Sequence, residues 1–210
     1  MNYNTTKFIN DLKAIGIELS DEQLEQFLTY YEMLIEKNKV MNLTAITDFD
    51  EVLEKHFEDS LSLIQAVDLE KSQAVIDLGT GAGFPGIPLK IAFPNLQITL
   101  ADSLNKRILF LDDVIRELGL TGIDTVHGRA EDIAKNSDYR EKFDLCVSRA
   151  VANLSTLSEY CLPFVKIGGK FISYKAGECD EEVAASKSSI FLLGGKISDI
   201  KKFELGESGR

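Results

Sequence analysis

Apolar positions in the first third of the chain recur at helical spacing. Phe8, Ile9, Leu12 and Ile15 share one helical face. After Gly16 the segment Ser20-Asp21-Glu22-Gln23 has the form of a capping box, in which a hydroxyl and a carboxamide satisfy reciprocal backbone groups. The helix it opens aligns Leu24, Phe27, Leu28, Tyr31, Leu34 and Ile35. A third helix is predicted from Asp48-Phe49-Asp50-Glu51, with Val52, Leu53, Phe57, Leu61 and Ile64 inward and acids outward. From Gln73 onward the period changes, and short apolar runs alternate with amphipathic stretches, the pattern of βα units around a buried parallel sheet. Strands are predicted at residues 74–78, 97–101, 123–126, 143–148 and 170–174, with a weaker one near 196–203. The intervening helices begin near Pro85, Ser103, Glu131, Asn153 and Glu178. The expected fold is α/β, a mostly parallel doubly wound sheet with helices on both faces. Residues 1–68 form a helical region packed on a main domain of residues 69–210.

Composition changes this picture only in places. With 44% apolar residues, 210 residues suffice for one large core. No apolar run approaches the roughly 20 residues that span a bilayer, and the start Met1-Asn2-Tyr3-Asn4 lacks a signal peptide's order, so a cytoplasmic protein is expected. Cys146, Cys161 and Cys179 have no metal-binding spacing and read as buried, reduced thiols. With only His56 and His127 besides, no metal site is expected. The net charge of -11 argues against a polyanionic partner, but it is uneven. Residues 1–74 carry 15 acids against 6 bases, and residues 75–210 carry 19 against 17, so the acidity is mostly a helix-surface property of the first third.

The segment with the most chemistry is Asp77-Leu78-Gly79-Thr80-Gly81-Ala82-Gly83, between a strand and a helix opened by Pro85. Glycines there let backbone touch a ligand at a helix N-terminus. In the dinucleotide fingerprint GxGxxG the third glycine would stand where this chain has Phe84, which disfavours NAD and FAD. Asp77 and the GxGxG run instead resemble the first motif of Rossmann-like, class I methyltransferases, which implies S-adenosyl-L-methionine as cofactor. Asp102 ends the next strand, about twenty residues on, where a carboxylate can accept both ribose hydroxyls or merely cap a helix. Ala130 and Glu131, in His127-Gly128-Arg129-Ala130-Glu131, stand where such enzymes hold adenine.

The fourth strand runs into Ser148-Arg149-Ala150-Val151. Carbon methylation of cytosine needs a cysteine nucleophile, but Cys161-Leu162-Pro163 lies a helix too late, and the Asn/Asp-Pro-Pro-aromatic grip of exocyclic-amine enzymes is missing. A ring nitrogen such as guanine N7 has a free lone pair and needs only alignment. Arg149 can pair with the cofactor carboxylate, an acceptor phosphate, the O6 edge of guanine, or structurally with a sheet-end acid.

Four segments together resemble the bacterial 16S ribosomal RNA guanine-N7 methyltransferase family (RsmG, formerly glucose-inhibited division protein B). They are Asn38-Lys39-Val40-Met41-Asn42-Leu43-Thr44, His56-Phe57-Glu58-Asp59-Ser60-Leu61, the glycine run extended through Phe84-Pro85-Gly86, and Ser148-Arg149-Ala150-Val151-Ala152. The resemblance covers nearly the whole chain. It implies methylation of one guanine in small-subunit ribosomal RNA, on naked RNA or the assembled subunit, with no stable protein partner. It places cofactor contacts at Gly79, Phe84, Ala130, Glu131 and Arg149, beside Asp77, Gly81, Gly83 and Asp102 of the motif reading. It also suggests that Asn38, Asn42, Thr44, His56, Asp59 and Ser60 fold over the cofactor mouth. Arg149, Lys175 and His56 are the candidates for aligning the acceptor, with His56 read chiefly as a packing residue held by Asp59 one turn later. Lys106 and Arg107 are further candidate phosphate contacts. Sheets of this kind carry a seventh strand between the fifth and sixth. Since the sequence stops at Gly206-Glu207-Ser208-Gly209-Arg210, a C-terminal strand and tail are expected to be missing. The competing readings are a small-molecule methyltransferase, favoured by the acidic charge, a non-catalytic ribosome-assembly factor, and an oxidoreductase, disfavoured by Gly83 and Phe84.

Overall fold

A computed structural model describes residues 3–71, 73–149, 152–175 and 177–203. Ala150 and Val151 of the fourth-strand motif, and the tail 206–210, lie outside the described residues.

Helix α1 (Thr6–Ala14) buries Phe8 and Leu12, and α2 (Asp21–Met41) buries Phe27, Tyr30, Tyr31 and Leu34. The capping box is present with both bonds: Ser20 accepts from the Gln23 backbone and the Gln23 carboxamide accepts from the Ser20 backbone. Such a cap contributes about 1 kcal/mol. The third helix is composite. It runs as α3 (Phe49–Val52), a π-helical turn Leu53–Glu58, α4 (Asp59–Leu61) and a 3-10 turn Ser62–Gln65. At its start only Asp48 caps, accepting from Glu51 N.

Five parallel strands follow: β1 (Ala74–Leu78), β2 (Gln97–Asp102), β3 (Ile123–His127), β4 (Phe143–Ser148) and β5 (Val165–Ser173), in the order β3-β2-β1-β4-β5. Helices α5 (Gly86–Ala92), α6 (Asn105–Glu117), α7 (Ala130–Ile133), α8 (Leu154–Cys161) and α9 (Asp180–Leu192) connect or follow them. Val75, Ile98, Leu100, Leu145 and Val147 pack in one cluster with Phe8, Phe27, Tyr30 and Phe57 of the N-terminal helices and with Ile87 and Leu111 of α5 and α6. Ile76, Leu78, Ala101 and Cys146 point the other way, onto Ile133, Cys161 and Phe164. Strand alternation therefore builds two cores on one sheet.

Two expectations need correction. Residues 196–203 form no strand: Ile197, Ile200 and Phe203 are three apart rather than alternating, and no strand among the described residues pairs with them. β5 begins five residues earlier than expected. The Gly168-Gly169 pair is a bulge within the strand, with Gly168 at φ 85 and Gly169 so close to the Asp144 carbonyl that a Cβ would lie 2.7 Å from it. Cys146 and Cys161 are buried as expected, but Cys179 is only partly so.

The N-terminal helices also bond to helix ends. Gln23 Nε2 donates to the carbonyls of Ile91 (2.7 Å) and Ala92 (3.2 Å) at the end of α5, and Gln26 Nε2 donates to Leu118 O (2.8 Å) past α6. These carbonyls have no partner within their own helices. No helix among the described residues is long and apolar enough to cross a membrane.

Candidate active site

The sheet order reverses between β1 and β4, and ligands of open α/β sheets bind at that switch point, beyond the carboxyl ends of the strands. The glycine loop leaves β1 there. Gly79 (φ 72) and Gly81 (φ 63) adopt left-handed conformations, and a Cβ on either would meet nothing within 4 Å. The space in front of the loop is open. Gly83 (φ 108) faces inward, since a Cβ there would lie 2.7 Å from both Ile87 Cδ1 and Tyr30 Oη. Gly86 lets α5 lie on β2, where a Cβ would come within 2.2 Å of Leu100 Cδ2.

Asp77 is fully buried beneath this loop. Its Oδ2 accepts from Thr80 Oγ1 (2.6 Å) and Gly86 N (2.8 Å), which pins both ends of the turn. Its Oδ1 has no hydrogen-bond partner among the described residues. Burial pushes its carboxyl up to about 6, against the pull of the Thr80 and Gly86 bonds and the Arg149 charge. Asp102, at the end of β2, reaches across to the loop, its Oδ2 accepting from Gly81 N at 3.0 Å.

Phe84 follows the loop and collects residues from three parts of the chain. His56 stacks on its ring at 4.6 Å, Tyr30 and Phe57 lie 5.5 and 6.1 Å away, and Arg149 Cζ sits 4.9 Å above it. Arg149 leaves β4 to meet the composite helix, where Nη1 donates to Asp59 Oδ2 (2.8 Å) and to Lys55 O (3.3 Å) and Nη2 faces His56 Nδ1 at 3.3 Å. A π-helical turn shifts its bonds by one residue and turns carbonyls outward. The guanidinium takes two of them, Lys55 O and, at 3.5 Å, His56 O. Asp59 therefore holds Arg149, and His56 is placed by Arg149, by stacking on Phe84 and by Thr44 Oγ1 (2.8 Å). Asn38 forms the turn that presents Thr44, its Oδ1 accepting from Leu43 N (2.6 Å) and Thr44 N (2.9 Å), with Asn42 left-handed between them at φ 49. Ser60 Oγ donates to His56 O at 2.5 Å.

The structure thus brings Asp77, Gly79, Gly81, Gly83, Phe84, Asp102, Arg149 and His56 together. Ala130 opens α7 after β3, and Glu131 is exposed, with Arg129 Nε 3.9 Å away. Lys175 donates to Ala152 O (2.8 Å) and Glu182 Oε1 (2.8 Å). Two participants were missed from sequence. Tyr30 Oη donates to Ala82 O (2.6 Å) behind the loop, and its phenol, fully buried, is pushed well above its ordinary range. Its place was legible, because Phe27, Tyr30 and Leu34 are three and four residues apart. Tyr174 Oη donates to Ser60 O (2.8 Å) and had no signal in local pattern, whereas Arg107, read from sequence as a candidate phosphate contact, pairs with Asp102 (3.2 Å). Among the described residues no group of three His, Cys, Asp or Glu could hold a metal ion.

The sheet order and the glycine turn with its acidic neighbours define a Rossmann-like, class I methyltransferase domain. Solved structures agree on the fold: an S-adenosylmethionine-dependent O-methyltransferase from Thermotoga maritima (TM-score 0.52, 17% identity, 76% of this chain and 55% of that one), and a precorrin-6y C5,15-methyltransferase from Geobacter metallireducens (TM-score 0.51, 13% identity, 65% and 71%). A family described as rRNA small subunit methyltransferase G matches residues 23–208. Proteins named ribosomal RNA small subunit methyltransferase G are 52% identical in Lachnoclostridium phytofermentans, over 99% of this chain and 86% of theirs, and 50% identical in Clostridium novyi, over 98% and 86%. The chain belongs to the rRNA small subunit methyltransferase G family.

Proposed function

We propose that this protein transfers the methyl group of S-adenosyl-L-methionine to N7 of a guanine in small-subunit (16S) ribosomal RNA. The observation that carries the reading is the open glycine turn, with Asp102 bonded across it, in a chain of this family. The residues fit the cofactor. Two left-handed glycines leave room for a ligand against backbone, and the buried, unpartnered Asp77 Oδ1 suits a cationic group. Gly79 and Gly81 take the cofactor against their backbone, Gly83 and Asp77 shape the turn from behind, and Phe84 walls one side. Asp102 takes the ribose hydroxyls, and Ala130 and Glu131 lie toward the adenine. Arg149 contacts the cofactor from the β4 side.

The bound cofactor supplies an electrophilic methyl on a positively charged sulfur. Held by the glycine turn, Asp102 and Arg149, the cofactor would supply that methyl to the N7 lone pair, its sulfur keeping the bonding pair as the leaving group. No proton moves, so no residue need act as base, and alignment is the protein's main contribution. Arg149 and His56, which cover the Phe84 ring, align the acceptor, while Lys175 holds the segment after β4 against α9. The helical residues 1–68 form the roof of the domain of residues 69–210, and the protein works in the cytoplasm on RNA or the small subunit. Tritiated methyl transfer to undermethylated small-subunit RNA tests this, with strand cleavage specific for 7-methylguanine locating the label. Label on guanine N7 supports the reading. Label confined to small molecules would favour the small-molecule reading raised by the acidic charge.

A further inference from the structure

Asp102 is nearly saturated. Its side chain is only 3% exposed and accepts three hydrogen bonds: Oδ1 from Leu104 N (2.8 Å), and Oδ2 from Gly81 N (3.0 Å) and Arg107 Nη1 (3.2 Å). A carboxylate offers about four lone-pair positions, so one is left. A ribose that donates both hydroxyls needs two, so one occupant must leave. Two of the three are backbone amides, fixed by the β2–α6 connection and the glycine loop. The third ends a long side chain on the first turn of α6. That side chain is 33% exposed, and its bond is the longest of the set.

We propose that Arg107 is an exchangeable partner of Asp102: its guanidinium occupies the carboxylate before the cofactor arrives and leaves when the ribose hydroxyls take its place. The inference rests on Asp102 being the ribose acceptor. Its physical basis is the cost of leaving a desolvated carboxylate short of hydrogen-bond donors, a need that either the guanidinium or the ribose hydroxyls can meet. Arg107 meets that need in the free protein and keeps Asp102 turned onto Gly81 N, so the loop stands ready. Arg107 is then a positioning residue that competes with the ligand it prepares for, and removing it destabilises the free state more than the bound one.

Calorimetric binding of S-adenosylhomocysteine and of its 2′,3′-dideoxy analogue, to wild type and to Arg107→Met, tests this. The variant keeps the aliphatic stem and lacks the guanidinium. Arg107→Met is expected to bind S-adenosylhomocysteine about 3- to 10-fold more tightly, the range for a partly exposed, charge-assisted bond, and the dideoxy analogue no more tightly than wild type does. Unchanged or weaker binding overturns the proposal, as does an equal gain for both ligands, which would mean that Arg107 merely obstructs the mouth. Failure of wild type itself to bind S-adenosylhomocysteine would overturn the ribose assignment, and the inference with it. A second readout needs no variant. Nitrogen relaxation of the Arg107 side chain in wild type should show greater mobility once S-adenosylhomocysteine saturates the protein, and an unchanged guanidinium would refute the exchange.

Discussion

Gly79 and Gly83 sit four residues apart in one turn, both with positive φ, and do opposite work. An alanine methyl at Gly79 would project into open space, so Gly79→Ala should cost stability only about 1–2 kcal/mol, the left-handed penalty, while removing most cofactor affinity. At Gly83 the same methyl meets Ile87 and Tyr30 at 2.7 Å, and Gly83→Ala should cost about 2–4 kcal/mol. Denaturant midpoints and calorimetric titration of the two variants separate the roles. Asp77 supplies a pH test. Its carboxyl is held at about 6 by burial, above the 3.8 of the free side chain, so its contribution is complete below about pH 4 and is lost as pH rises through 6. That loss is roughly 3 kcal/mol. Glu58, pushed by burial to about 7, acts in the same direction up to neutral pH. Asp77→Asn should flatten the fall in stability between pH 4 and 7 by the Asp77 share, and a variant as steep as wild type would refute the assignment. The glycine spacing and Asp77 were readable in sequence because the turn's chemistry is local. The direction each glycine faces was not, because it depends on Tyr30, some fifty residues away along the chain.

The composite third helix shows what hydrophobic periodicity records and what it omits. Val52, Leu53, Phe57 and Leu61 gave a helix, and they are buried as expected. The π-helical turn left no trace in the apolar pattern, because one extra residue in a turn rotates the face by less than the width of the apolar stripe. Its significance lies in the two carbonyls, of Lys55 and His56, that Arg149 takes from more than ninety residues away. The bulge at Gly168-Gly169 escaped for a similar reason: it is defined by the register against β4, which local pattern does not carry. Arg149 and Asp59, with side chains 18% and 23% exposed, form the strongest link between β4 and this helix. A double-mutant cycle with Arg149→Met and Asp59→Asn should give a coupling of about 1–3 kcal/mol by denaturation. Coupling near zero would mean that the guanidinium is held by the carbonyls alone.

At the scale of the molecule, the helical roof and the sheet share one core, for Phe8, Phe27, Tyr30 and Phe57 belong to the same cluster as Val75, Leu100 and Val147. The two parts should therefore melt together, with equal calorimetric and van't Hoff enthalpies; two resolved transitions would contradict a shared core. The change of period from helical to alternating near Gln73 was legible, whereas the extent of the shared core was not, because periodicity gives the buried face of a helix without naming what covers it. The same packing has an optical consequence. The chain holds six tyrosines and no tryptophan, so tyrosine light emission is not masked by energy transfer to an indole. One of those phenols, Tyr30, is hydrogen-bonded to the carbonyl of Ala82 on the far side of the ligand turn. Movement of that turn would alter the environment of this chromophore, and the molecule thus carries a native optical gauge of its own ligand loop, with Tyr30→Phe as the blank.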